Sequence, residues 1–296
     1  MNKLVECVPN FSEGRRPEVI EAIVNEVRKV EGIQLLDVQS DASHNRSVVT
    51  FVGEPAAVKQ AAFSSCAKAA ELIDMEQHHG EHPRVGATDV IPFIPVREVS
   101  LAECVELANE LGKEIADKLN IPVYMYEAAA KKIERKNLPD VRKGQYEGLK
   151  TAISEPERKP DYGPAKMHPK AGATVVGARQ CLIAYNINLS TSDVAIAKRI
   201  ANAIREAKGG FKYCRAMGIL IEERNVAQVT INMINYEGTP LHRVFETVKN
   251  EAARYGVNII GSEIVGLVPM QALIDTADYY LRLEGFNRKQ VMEENI

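Results

Sequence analysis

Three of the six histidines of this 296-residue chain fall within five positions, at His78, His79 and His82. Glu76, Glu81, Arg84 and Asp89 accompany them, and the apolar run Val90–Val96 follows directly. An imidazole titrates near neutrality, so such a cluster can take up and return protons, with a carboxylate to orient the ring. His78 and His82 also stand four apart, the spacing of zinc-binding histidines in H-E-x-x-H. Here Gly80 and Pro83 break the helix that would bring both to one face, and no cysteine is near. The stretch therefore reads as a rigid loop entering a buried strand, with general acid–base work by at least one histidine.

Other candidates are scattered. Asn10–Gly14 joins a strand to a helix and can offer backbone N–H groups to an anion, or simply form a turn. No G-x-G-x-x-G or Walker pattern points to a nucleotide. His44-Asn45-Arg46 is a second candidate anion site, its alternative a charged surface. Lys131, Lys132, Arg135, Lys136, Arg142 and Lys143 form a basic run, read either as a solvated face or as a guide for a polyanion. Asp161–Gly172, with two glycines, two prolines and two lysines, is either a cleft wall or, as spacing favours, an inter-domain linker. Asn186, Asn188, Asn232 and Asn235 sit at strand ends, facing a ligand or tying loops.

Composition bounds what these groups can do. With 45% hydrophobic residues the chain can bury a large core, and its length suggests two domains. A net charge of −3 gives no global basic field for nucleic acid. Five dispersed cysteines read as reduced cytosolic thiols. The N-terminus lacks a signal-peptide core, and no apolar run nears the roughly 20 residues of a membrane span. A cytoplasmic protein acting on neither nucleic acid nor membrane is expected.

The elements that must position the candidates repeat. Leu4–Val8 reads as a strand. Pro17 opens a helix with Val19, Ile20, Ile23, Val24 and Val27 on one face, closed by Gly32. Gln34–Val38 and Ser47–Val52 are strands separated by a polar loop. Pro55 opens a helix through Val58, Ala62, Cys66 and Ala69, and Val90–Val96 closes the unit. Ser100–Glu103 is a capping box ahead of another helix, and Ile121–Tyr126 a further strand. Glu127–Lys170 shows little periodicity and holds or precedes the domain boundary. Beyond it Cys181–Leu189, a helix capped by Ser192, Arg215–Ile221, Ala227–Met233, a helix opened by Thr239-Pro240, and Val257–Gly261 give the same order. The fold class is thus α+β, an α/β sandwich of two ferredoxin-like subdomains. Each is β-α-β-β-α-β, over residues 1–178 and 179–296, with a substrate cleft between them.

Several blocks carry a resemblance. Val5–Gly14, His78–Arg84 with Asp89 and Pro92–Pro95, Tyr185–Leu189, Asn225–Val229 and Val265–Pro269 resemble the glutamate formimidoyltransferases, the formiminotransferase domain family, over nearly the whole chain. The resemblance implies the monofunctional form, without the cyclodeaminase domain of larger relatives. It implies transfer of a formimidoyl group between N-formimidoyl-L-glutamate and tetrahydrofolate in histidine degradation. Tetrahydrofolate is then a co-substrate, no metal is used, and a homodimer is expected. The family's catalytic histidine falls on His82. Its folate-contacting segment falls on Gly163, Pro164, Ala165, Lys166, Met167, His168, Pro169, Lys170, Ala171 and Gly172, which displaces the linker reading. His78 and His79 become supports, Glu81 and Asp89 candidate orienters, and Lys131–Lys143 a contact for polyglutamylated folate. Gln39 departs from an acidic residue in the family pattern. The alternatives are a metal-dependent hydrolase built on His78, His79 and His82, and an RNA-binding module, against which 6% aromatics speak.

Overall fold

The structure, a computed structural model, describes residues 3–292. The chain divides into two compact units, Met1–Arg179 and Gln180–Ile296. In the first, β1 (Leu4–Cys7) and β2 (Asn10–Phe11) are one strand interrupted near Pro9, since both pair with the same two neighbours. Pro17 sits in the first turn of α1 (Pro17–Arg28), where its missing N–H costs nothing, and Val19, Ile23, Val24 and Val27 bury one face. β3 (Ile33–Asp41) and β4 (Arg46–Gly53) form a longer hairpin than the sequence suggested. Pro55 likewise opens α2 (Pro55–Leu72).

β5 (Thr88–Arg97) is paired on both sides, and its first seven residues are buried, which explains its unbroken apolar run. The order β3-β4-β1/β2-β5, antiparallel throughout, is the expected ferredoxin-like arrangement. Helix α3 (Leu101–Leu119) begins at the Ser100 capping box, with both reciprocal hydrogen bonds formed.

The connection expected to lack periodicity is folded. After β6 (Val123–Glu127) come the short helices α4 (Leu138–Val141) and α5 (Gln145–Ala152) and then β7 (Thr174–Ala178). Val141, Tyr146, Leu149 and Ile153 are buried in the core of this unit. Arg135 is buried with them, paired with Asp161 at 2.6 Å, donating to the Lys159 carbonyl at 2.5 Å and lying over the Tyr124 ring. β7 inserts between β5 and β6, parallel to both, and extends the sheet beyond the expected four strands.

The second unit runs β8 (Ile183–Leu189), α6 (Val194–Ile204), β9 (Cys214–Ile221), β10 (Val226–Met233), α7 (Leu241–Ala253), β11 (Ile259–Val265) and α8 (Met270–Leu281). The sheet order β11-β8-β10-β9 is again ferredoxin-like. Asp193, not Ser192, caps α6, accepting from the Ala195 N–H at 2.8 Å. Asn186 and Asn188 are buried, the first donating to Glu263 at 3.1 Å and the second accepting from Gln228 at 2.9 Å, whereas Asn232 is exposed and Asn235 closes a turn. Helix α8 is additional to the sequence reading.

Candidate active site

The candidate site lies wholly within the first unit. Four segments build it: the 42–45 turn entering β4, the 74–87 loop, the start of β5, and the turn after α4. Asn45 holds the first two together. Its backbone is left-handed, with φ 47°, a conformation asparagine tolerates. Its side chain accepts from Gly14 N–H at 2.9 Å and donates to the His79 carbonyl at 3.0 Å. Its own carbonyl lies 2.9 Å from His78 Nε2. The Asn10–Gly14 turn is thus tied to the histidine loop, and Ser12 adds bonds to Gly86 and Ala87 carbonyls. Within that turn Glu13 is buried, which opposes its charge. Acceptance from the Arg15 and Arg16 N–H groups and the Arg16 guanidinium outweighs this and lowers its pKa.

The three histidines separate in role. Both ring nitrogens of His78 are engaged, Nε2 with the Asn45 carbonyl and Nδ1 accepting from Arg84 Nε at 3.2 Å. Arg84 reaches on to Gln145 and Glu147 of α5, so this buried pair anchors the loop to that helix. Burial lowers the His78 pKa. His79 is exposed. His82 is largely covered, with Nε2 4.0 Å from Asp89 and 3.4 Å from Arg46 Nη1. Burial first, then the guanidiniums of Arg46 and Arg142, push its pKa down to about 3. His82 is therefore a neutral imidazole across the physiological range.

Asp89 is 1% exposed. One oxygen accepts from Val85 N–H at 2.9 Å and the other takes the Arg142 guanidinium. At 4.0 Å it makes no hydrogen bond to His82. Its charge is paired with Arg142 instead. Glu81 is exposed, with its N–H donating to the Ser43 carbonyl at 3.3 Å. Gln39 is exposed on β3 and donates to Asp37 at 2.7 Å, and Asp41 is occupied by the N–H and ring of His44. Arg142 Nε is buried without a hydrogen-bond partner.

Residues 163–172 are not a linker. Gly163 and Gly172 both have positive φ, and Tyr162 and Asp161 bond to Val123 at the head of β6. The end of the segment runs antiparallel to the loop between His82 and Asp89. Ala87 N–H donates to the Ala171 carbonyl at 2.8 Å, and Ala173 N–H to the Val85 carbonyl at 3.1 Å. Met167 and Ala171 are buried, while Gly163, Ala165, Lys166, Pro169 and Lys170 are exposed. His168 is occupied locally, Nδ1 accepting from the Ala171 and Lys170 N–H groups. Of the basic run, Arg135 is structural and Arg142 joins the site. Lys131 lies over the Tyr162 ring at 3.6 Å. Among the described residues no group of three or more His, Cys, Asp or Glu is placed to hold a metal ion. Nor is any described helix long and apolar enough to cross a membrane. Arg46 and Arg142 were not singled out beside His82 by sequence, because only strand pairing and the 127–170 fold bring them there.

Residues 4–179 match the family model of the formiminotransferase domain, N-terminal subdomain, and residues 184–295 that of the formiminotransferase domain. The chain belongs to the formiminotransferase domain family. It is 51% identical to a glutamate formimidoyltransferase of Streptococcus pyogenes serotype M1, across 100% of this chain and 99% of the relative. A glutamate formimidoyltransferase of Thermoplasma acidophilum is 48% identical over 99% of this chain and 97% of its own length. The formimidoyltransferase-cyclodeaminase of Rattus norvegicus is 48% identical over 95% of this chain, which spans 53% of that relative. In this formiminotransferase chain, then, the loop bearing His82 is fixed at both ends, by His78–Arg84 behind it and by strand-like bonds to 171–173 ahead of it.

Proposed function

We propose that this chain is a folate-dependent glutamate formimidoyltransferase, moving a formimidoyl group between N-formimidoyl-L-glutamate and tetrahydrofolate, with His82 as general acid and base. The observation that carries the reading is a neutral imidazole held beside two guanidiniums, on a loop bonded to the 163–172 segment. Full-length similarity to transferases of that name supports it. Tetrahydrofolate, when bound, supplies the amine nitrogen that takes up the formimidoyl carbon. Gly163–Gly172 suits a folate, polyglutamylated or not. It is an exposed loop with cationic Lys166 and Lys170, held in register with Val85–Ala87.

The residues then divide the work. As an amine attacks the formimidoyl carbon and a tetrahedral adduct forms, His82 Nε2 accepts the proton the incoming nitrogen loses. It returns that proton to the nitrogen that leaves. Holding both substrates against one loop converts an encounter into a local step. A cytoplasmic homodimer completes the reading, and the five free thiols suit a reducing compartment. The metal-dependent hydrolase reading has no comparable support, because both ring nitrogens of His78 are already engaged, by the Asn45 carbonyl and by Arg84. The test is an assay with N-formimidoyl-L-glutamate and tetrahydrofolate. Wild type should form L-glutamate, and His82→Ala should lose roughly 10²- to 10⁴-fold in kcat. A rate within threefold of wild type would remove His82 from the mechanism.

A further inference from the structure

Arg46 opens β4 and turns its guanidinium onto His82, with Nη1 3.4 Å from Nε2. Its other side-chain contact is the Asn10 amide oxygen at 3.5 Å. No carboxylate pairs with it among the described residues. Asp89 and Asp41, the acids that favour its charge, are held by Arg142 and His44. Burial and the Arg142 charge both disfavour the Arg46 cation. A half-buried guanidinium kept without an anion beside an acid–base group is built to receive one, and its fork matches a carboxylate.

The spacing says which carboxylate. In an α-amino acid the nitrogen and carboxylate share one carbon, so nitrogen and nearer oxygen stand about 3 Å apart. His82 Nε2 and Arg46 Nη1 present a proton-transfer atom and a donor 3.4 Å apart. A substrate nitrogen on His82 therefore brings its own α-carboxylate to Arg46, whereas the side-chain carboxylate, two carbons further along, reaches the same point only when the chain folds back on itself. We propose that Arg46 binds the α-carboxylate of the glutamate moiety and makes the enzyme selective for α-amino acid donors. The proposal rests on the transferase reading and deepens it. It also accounts for the electrostatics, since an anion there neutralises part of the field that, with burial, depresses His82. His82 then gains basicity when the substrate arrives.

The experiment compares kcat/KM for N-formimidoyl-L-glutamate and N-formimidoyl-4-aminobutanoate, which lacks the α-carboxylate but keeps the distal one. Wild type, Arg46→Gln and Arg46→Lys are assayed with both. Wild type should prefer the glutamate donor. Arg46→Gln should lose roughly tenfold to a hundredfold in the ratio of kcat/KM for the glutamate donor over aminobutanoate, the worth of one charged hydrogen bond, since any change in His82 basicity acts on both donors alike. The preference thus collapses, and circular dichroism reports an intact fold. Arg46→Lys should recover part of the loss, with charge but no fork. Equal losses on both donors, or a wild type indifferent to the α-carboxylate, overturn the assignment. Transfer from neither donor by wild type overturns the transferase reading, and this proposal with it.

Discussion

Asp89 joins two demands at one buried position. Its carboxylate closes the loop onto Val85 and neutralises Arg142, whose guanidinium is itself largely covered. Removing one member of a buried ion pair leaves the other charge uncompensated. Asp89→Asn should therefore cost about 3–5 kcal/mol of stability in urea denaturation. Asp89→Asn combined with Arg142→Met should recover most of it, because no unpaired charge then remains. A single-mutant cost below about 1 kcal/mol, the scale of an exposed pair, would mean that water screens the pair. Sequence could place Asp89 near the histidines, being seven positions on, and could treat His78 and His79 as supports. It could not assign His82 its neighbours. Arg46 arrives by the β3–β4 hairpin and Arg142 by a fold with no periodic signal, so the electrostatics of the site were illegible.

Gly86 shows how elements hold that site. A Cβ there would lie 1.9 Å from the Ala173 carbonyl oxygen and 2.5 Å from that of Ala171. Backbone must approach backbone at this point so that Val85–Ala87 can bond to residues 171–173. Gly86→Ala should part the two segments, costing roughly 1–3 kcal/mol as overpacked sites do. It should raise KM for tetrahydrofolate more than KM for N-formimidoyl-L-glutamate. Equal changes in both, in a variant still folded by circular dichroism, would detach 163–172 from folate binding. Helices α1, α2, α3, α6 and α7 and the hairpins were legible because prolines, caps and apolar spacing are local signals. β7 was not. Its five residues follow a glycine-rich stretch, and their partners β5 and β6 lie far away in sequence and pair in parallel. The buried, β-branched Thr174-Val175-Val176 was the one signal available.

Protons should act unequally on the two units. In the first, burial lowers the pKa values of His78 and His168, and burial with nearby guanidiniums lowers that of His82 to about 3. In the second only His242 is lowered, again mainly by burial. A histidine whose folded pKa lies below its unfolded value near 6.5 stays neutral in the fold and charges on unfolding. Its contribution is constant above about pH 6.5, and below that the unfolded state binds the extra proton. Stability then falls with pH, by at most about 1.4 kcal/mol per unit for each such group. For His82 the fall continues to about pH 3. Glu6, whose pKa burial raises, works the other way as it takes up its proton in the fold. Glu13 and Glu76, with lowered values, add losses only below about pH 4.5, the ordinary glutamate range. Between pH 6.5 and 5 the histidines should therefore dominate, and the first unit should loosen before the second. Hydrogen exchange, corrected for intrinsic rates, should show protection lost from peptides of residues 4–178 first as pH falls from 7 to 5. His82→Gln, which cannot take up the proton, should shift that loss to lower pH. Earlier loss in residues 183–281, or an unchanged profile in His82→Gln, would show that the buried histidines do not govern acid stability.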